Sequence, residues 1–502
     1  MYIESYGSVT VSKSGTVDAS FDSVVSTPIL SFGTTSFVVS AGTTTVLNTD
    51  TTPGNLCQVS GGDGSLYIGD GNGTCGDGLD TLVTGLTVDP GATLVLLDQG
   101  SGYGTLRLTN DLVINGTLTT DVNTTSGLDI EANIIDVESG GMITSSATTT
   151  DWGAGEIWLG NGNGTTKQII NRGTIEAKGL GSGSGGYLKF EPDDLVVNYG
   201  IIDASGGLSD TGAGGSGGEL DVYVDYGDFY SSGIVRMNGG KGATDGGDSE
   251  AEYYNYNGYS AYIETAYFDN SMGRNGDIII SGTWEANGGD GTNGRGGYGG
   301  WIYLQTDALG AVTINANMST KGGDGNGTGY SGGNTYGIDI YSELDPNSNG
   351  GYDDTITPGK VTISGHYDLR GGDGDQGGNG GYLEIYSADA INNSGFGSNV
   401  ELVNFPAMNL NGGEGGPTGG SASSQAFEIY TYSSANLSNS ISNEANIEAM
   451  GGRARDAGGT GGDGGYIVMT SATPPTVNTG TLSVAGGSGT NSGASGPLPT
   501  IN

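Results

Sequence analysis

A β-forming run, one small residue and a second β-forming run recur twelve times along this chain, with glycine-rich spacers between copies. Copies read LVINGTLTTD from Leu112, IINRGTIEAKG from Ile169, IIISGTWEANGG from Ile278 and VTISGHYDLRGG from Val361. The small residue falls at Gly91, Gly116, Gly140, Gly173, Gly200, Gly233, Gly282, Ala316, Gly365, Ala407, Ala445 and Gly480. Intervals range from 24 residues (Gly116 to Gly140) to 49 (Gly233 to Gly282). A floor near one short unit, with variable excess, is the spacing of a solenoid in which each coil packs on its neighbours and carries an optional loop.

Glycine is 102 of 502 residues, without the every-third spacing of collagen. β-branched and aromatic residues keep their period throughout, so the glycine is assigned to loops between ordered strands. From about residue 175 a third β-run follows each spacer, introduced by two glycines: GGYLKF (Gly185), GGELDVYV (Gly217), GGWIYL (Gly299), GGYLEIY (Gly380) and GGYIVM (Gly464). Period-two alternation turns Leu188, Phe190, Ile302, Leu304, Leu383, Ile385, Ile467 and Met469 inward. It turns Tyr187, Trp301, Tyr303, Tyr382, Tyr386 and Tyr466 outward, as a surface ladder available for contact.

The expected fold is all-β: a single-stranded parallel β-helix, right-handed, with about three strands per coil and the glycine-rich loops at one vertex. Residues 1–80 read as an irregular β cap or first coils, and 81–175 as coils with short loops. Residues 176–490 read as coils with long glycine-rich loops, and 491–502 as a C-terminal tail.

Only 15 Lys and Arg stand against 56 Asp and Glu, for a net charge of −41. Nucleic acid and anionic membrane both need a basic footprint, so neither is an expected partner. No apolar run approaches the length of a membrane span. MYIESYG lacks the basic and apolar regions of an export signal.

Acids recur inside the spacers as Asp63, Asp290, Asp324, Asp373 and Asp463, with Glu414 at a like position. Two chemistries suit them. Carboxylates along one ridge, with flexible carbonyls beside them, would hold Ca²⁺. Alternatively they are solvated turns, with aspartate bonding local backbone. Cys57 and Cys75 are the only cysteines and are expected to form a disulfide in an oxidising, extracellular setting. Catalytic residues are not expected: His366 is the single histidine, the pair Asp353/Asp354 precedes it without a supporting basic motif, and no triad can be assembled.

The phrase G-x-I-x-A-x-GG … GG-Y-I-x-I resembles the glycine-rich parallel β-helix proteins of microbial surfaces, which are adhesin-like or form sheaths and filaments. The resemblance covers roughly residues 80 to 490 and implies an extracellular, non-enzymatic structural protein whose partner is further copies of itself. A polysaccharide partner, with the aromatic ladder touching sugar, is the alternative. A β-helix enzyme that degrades polysaccharide is the third.

Overall fold

The computed structural model describes residues 36–40, 42, 44–47, 56–58, 66–68, 75–76, 81–97, 102–120, 127–148, 153–160, 162, 164–249, 258–265, 276–306, 310–342, 361–387, 400–402, 407–431, 441–471 and 476–502. Every regular element among them is a β-strand, and most strands pair in long parallel ladders of β-solenoid type. The chain divides into two compact units. One comprises Met1–Ser145, Gly155–Glu176 and Lys189–Ile201; the other comprises Ser146–Ala154, Ala177–Leu188 and Ile202–Asn502.

In the first unit, Gly85–Val88 pairs in parallel with Leu112–Ile114, which pairs with Ile134–Val137, then Gln168–Asn171, then Leu195–Asn198. The second runs of the phrase form their own ladder through Thr93–Leu96, Thr117–Thr120, Met142–Thr144 and Thr174–Glu176. A third series, Tyr103–Arg107, Gly127–Glu131 and Ile157–Gly160, shows that the third strand begins well before residue 175. Those early copies lack the introductory Gly-Gly, which is why the sequence pattern hides them. Strands Leu56–Gln58, Leu66–Ile68 and Thr81–Val83 form a separate antiparallel sheet. Cys57 and Cys75 are disulfide-bonded, with their Cα atoms 5.9 Å apart.

The small residue between the two runs has a steric cause. A Cβ on Gly200 would collide with the Gly173 carbonyl oxygen, and one on Gly173 with that of Gly141. Register moves some copies by one residue: Gly141, not Gly140, lies opposite Gly173, because Met142 pairs with Thr174. Gly140 instead takes the positive φ (91°) of a tight turn inserted there. Ala407 likewise pairs with His366 rather than Gly365.

In the second unit the two runs of the phrase fuse into single strands at Ile278–Glu285, Val312–Ser319 and Val361–Asp368, paired residue for residue. The third series there is Glu219–Val224, Ala261–Thr265, Trp301–Thr306, Gly337–Ser342, Tyr382–Ser387, Phe427–Thr431, Ile467–Ser471 and Thr500–Ile501. Ile302, Leu304, Leu383, Ile385, Ile467 and Met469 are all buried, as are Leu188 and Phe190. Across the core the large side chains Trp284, Met318, Tyr367 and Met408 stack in one register column.

The spacers of this unit are ordered without being strands. One unbroken succession of backbone bonds, each 2.7–3.0 Å, links glycine N–H to glycine carbonyl. It runs through Gly183, Gly207, Gly215, Gly240, Gly247, Gly289, Gly297, Gly323, Gly333, Gly372, Gly378, Gly413, Gly420, Gly452, Gly462, Gly487 and Gly493. Beside it, Gly288 and Gly291 donate to Lys321 and Asp324, Gly322 and Gly325 to Arg370 and Asp373, and Gly371 and Gly374 to Asn411 and Glu414. Donors that point to the next rung therefore recur every third residue. That is the period of the extended polyproline-II helix, which has no internal hydrogen bonds and must find partners in neighbouring chains. The spacers pack as two facing layers of such threefold segments, and glycine is required where the layers meet. A Cβ on Gly322 would collide with the Gly333 carbonyl, and one on Gly371 with that of Gly378; between successive rungs a Cβ on Gly323 would likewise meet the Gly289 carbonyl.

Residues 491–502, expected as a tail, belong to this stack. Gly493 bonds to Gly487, Gly496 to Val484, and Thr500–Ile501 pairs with Val468–Met469. Their composition is that of a linker, but glycine here is the residue that the close approach of two backbones demands.

Candidate functional site

Two arrays of chemistry-bearing side chains line the second unit. The first is the acid ridge of the outgoing spacers. Asp290 Oδ1 accepts the backbone N–H of Asp324 at 2.9 Å, Asp324 Oδ1 that of Asp373 at 2.9 Å, and Asp373 Oδ1 that of Glu414 at 2.7 Å. The structure thus brings Asp290, Asp324 and Asp373 together as a staircase, each carboxylate capping the next rung's backbone. Asp463 stands in a different column, where Asn379 accepts the Ser421 N–H and Asp463 accepts the Ala494 N–H at 2.7 Å. Asp63 lies outside the described residues, as do Asp353 and Asp354. Cations sit within the ridge: Lys321 Nζ is 3.1 Å from Asp324 Oδ1, and the Arg370 guanidinium feels both Asp373 and Asp324. Among the described residues no three His, Cys, Asp or Glu side chains converge as metal ligands would.

The second array is an aromatic and acidic face on the third strand series. Parallel pairing puts Tyr262 beside Tyr303, Tyr341 beside Tyr386 and Tyr386 beside Tyr430. Between these groups the column steps sideways by two residues, since Tyr303 lies opposite Asp339 and Gln305 opposite Tyr341. The rings stay in contact through that step. Centroid spacings are 5.1 Å for Tyr262–Tyr303, 5.0 Å for Tyr303–Tyr341, 5.0 Å for Tyr341–Tyr386 and 5.4 Å for Tyr386–Tyr430. Interplanar angles run from 2° to 25°. Tyr303, Tyr341 and Tyr386 therefore have a ring against each face, and their edges meet solvent. Trp301 packs on Tyr259 at 4.2 Å.

Four phenols of the column are paired with an oxygen acceptor along the same face. Tyr262 donates to Glu264 at 2.9 Å, Tyr303 to Gln305 Oε1 at 2.7 Å, Tyr386 to Glu384, and Tyr430 to Glu428 at 3.2 Å. Tyr187, further along, donates to Asp221 at 2.7 Å. Burial, followed by the adjacent carboxylate, raises the phenol pKa of Tyr262, Tyr187 and Tyr382, and pushes Tyr430 up to about 12, so all four remain donors. Tyr466 is half-buried at the adjoining rung.

Asp339 is the hub of this face and is 2% exposed. Gly337 sits in register between Trp301 and Tyr382, and its missing side chain lets both reach over to the same carboxylate. The Trp301 indole N–H donates to Asp339 Oδ2 at 2.6 Å and the Tyr382 hydroxyl at 3.2 Å. Burial, reinforced by the Glu384 charge on the next rung, outweighs these two donors and lifts the Asp339 pKa to about 7. Burial also raises Glu428, which continues the acid column beyond Glu384.

The outward set read from sequence held Tyr187, Trp301, Tyr303, Tyr382, Tyr386 and Tyr466. Tyr262 falls in the tyrosine-dense stretch 252–268, which the sequence offers as a separate contact patch, and Tyr341 and Tyr430 end the weaker copies YGIDIY and QAFEIY; the structure puts all three in the same column. Of the acids between the aromatic residues, the sequence alternation turns Glu384 outward with Tyr382 and Tyr386, and the structure adds Asp339 and Glu428 in register with it. His366 is exposed and stands away from any acid cluster of this face. No helix among the described residues is long and apolar enough to cross a membrane. Comparisons with protein-family models, curated proteins and solved structures find no match.

Proposed function

We propose that this chain is a non-catalytic, extracellular structural protein, a subunit of a filament, sheath or surface layer that assembles from further copies of itself. In this reading the parallel ladders wind as one right-handed, single-stranded β-helix with three strands per coil. The observation that carries the proposal is the unbroken glycine succession from Gly183 to Gly493. Glycine carbonyls, spacer carboxylates and asparagine amides alike join one rung to the next, so the chain's polar groups serve lengthwise cohesion. A surface built this way presents in-register donors and acceptors, the template that parallel strands and threefold segments of another copy would extend.

The proposal is tested by light scattering and sedimentation of the purified chain across salt and calcium concentrations. Assembly should appear as screening rises, because a net charge of −41 opposes contact between copies at low ionic strength. A chain that stays monomeric throughout defeats it. Retention on polysaccharide columns that is abolished by Trp301→Ala with Tyr382→Ala would instead favour an adhesin.

A further inference from the structure

The strands Trp301–Thr306, Gly337–Ser342 and Tyr382–Ser387 each end on a hydroxyl that faces the core, in line with Leu304, Ile340 and Ile385. Thr306, Ser342 and Ser387 are 0%, 1% and 0% exposed. Among the described residues none of these three side-chain oxygens has a hydrogen-bond partner. Pairing sets Thr306 opposite Ser342 and Ser342 opposite Ser387. We propose that the three hydroxyls hold a file of water molecules inside the second unit, one water bridging each successive pair of rungs.

Parallel pairing accounts for the column but not for the missing partners. Thr265, one rung before Thr306 in the same column, donates to the Gly276 carbonyl at 2.6 Å. Ser249 donates to the Met237 carbonyl at 2.6 Å, and Thr335 to the Thr320 carbonyl. A buried hydroxyl without a partner costs the full desolvation of that group, so native interiors supply one from protein or from ordered water. The three hydroxyls cannot satisfy one another, because equivalent positions on successive rungs stand about 4.8 Å apart. A single water making two bonds of about 2.8 Å at a near-tetrahedral angle spans about 4.5 Å, close to that spacing. Composition supplies the room: Ser342 and Ser387 lack the methyl group that Thr265 and Thr306 carry at the same place.

The chemistry selects water over an ion. A hydroxyl both donates and accepts but carries no charge. The neighbours along this inner face are Leu304, Ile340 and Ile385, so a buried cation would find no counter-charge. Water can accept from one rung and donate to the next. It thereby ties neighbouring strands on their inner side, where aliphatic packing is otherwise the contact between them.

The test uses the full chain. A crystal structure at a resolution that shows ordered water should hold one water between the Thr306 and Ser342 oxygens and another between those of Ser342 and Ser387. Thr306→Val and Ser342→Ala give a second readout whose sign separates wet from dry. With water in place, each variant removes a hydrogen bond from that water, and the melting temperature should fall by about 1–3 °C. In a dry column each variant would remove a hydroxyl buried without a partner, and the melting temperature would rise. Circular dichroism checks folding, and Thr306→Val preserves side-chain shape, so it stands alone should Ser342→Ala fail to fold. A crystal structure with no water at either position overturns the proposal, as does a melting temperature unchanged or raised in Thr306→Val.

Discussion

At Asp339, burial and a like charge act on one carboxyl group, and the result is a pH dependence with a definite sign. The folded chain holds this proton to about pH 7, whereas the ordinary value for an aspartate is 3.8. Folding therefore takes up a proton between those values. The stability linked to this group is present in full below about pH 4 and is lost as pH rises through about 7. Glu384, Trp301, Tyr382 and Tyr259 are the groups that face it, and the rise in Glu428 acts in the same direction. The shift at Asp339 corresponds to a few kcal/mol, in order of magnitude. The native chain should melt at a lower temperature at pH 8 than at pH 5. Asp339→Asn retains an acceptor for the indole and phenol and cannot ionise, so its melting temperature should vary much less. Equal slopes in both proteins would contradict the assignment. Buried asparagines behave differently: Asn443 is 0% exposed, donates to Asn478 at 2.7 Å and accepts the Ala445 N–H, so no charge is at stake.

At the scale of an element, the glycine spacers separate two reasons for having no side chain. Gly323 faces a backbone carbonyl that cannot move without breaking the succession of bonds, whereas Gly329 has open space around it and needs only its positive φ of 86°. Gly323→Ala should lower stability by about 3 kcal/mol or more, the upper range for overpacking. Gly329→Ala should cost only about 1 kcal/mol of backbone strain. Chemical denaturation of both variants checks the contrast, and similar losses would contradict a packed two-layer spacer. The strands were legible in the sequence because burial imposes a period of two on Ile302, Leu304, Leu383 and Ile385 whatever else changes. The spacers were not. Their period of three is written in hydrogen-bond direction, and glycine at both required and free positions conceals it. The acid ridge was legible as a column, since Asp290, Asp324 and Asp373 do align, but not that each carboxylate caps the next rung's amide. The tyrosine column was half legible: Tyr303 and Tyr386 stood out after Gly-Gly, while the two-residue sidestep at Tyr341 breaks any fixed spacing.

For the molecule as a whole, electrostatics and cohesion pull in opposite directions. Its net charge of −41 comes from scarcity of Lys and Arg, and most of the cations described are placed against acids, as Arg107 is between Asp129 and Glu131 and Arg172 is against Asp136. Backbone ladders in each unit hold rungs together without regard to charge. Between separate copies, however, repulsion acts at full strength until salt or a divalent cation screens it. Self-assembly is thus expected to switch on with ionic strength, not with pH near the carboxylate range alone. Negative-stain electron microscopy of the purified chain, at low salt and then at high salt with and without calcium, tests the structural reading most directly. The account predicts filaments or sheets once charge is screened. Isolated particles of a single chain under every condition would contradict it.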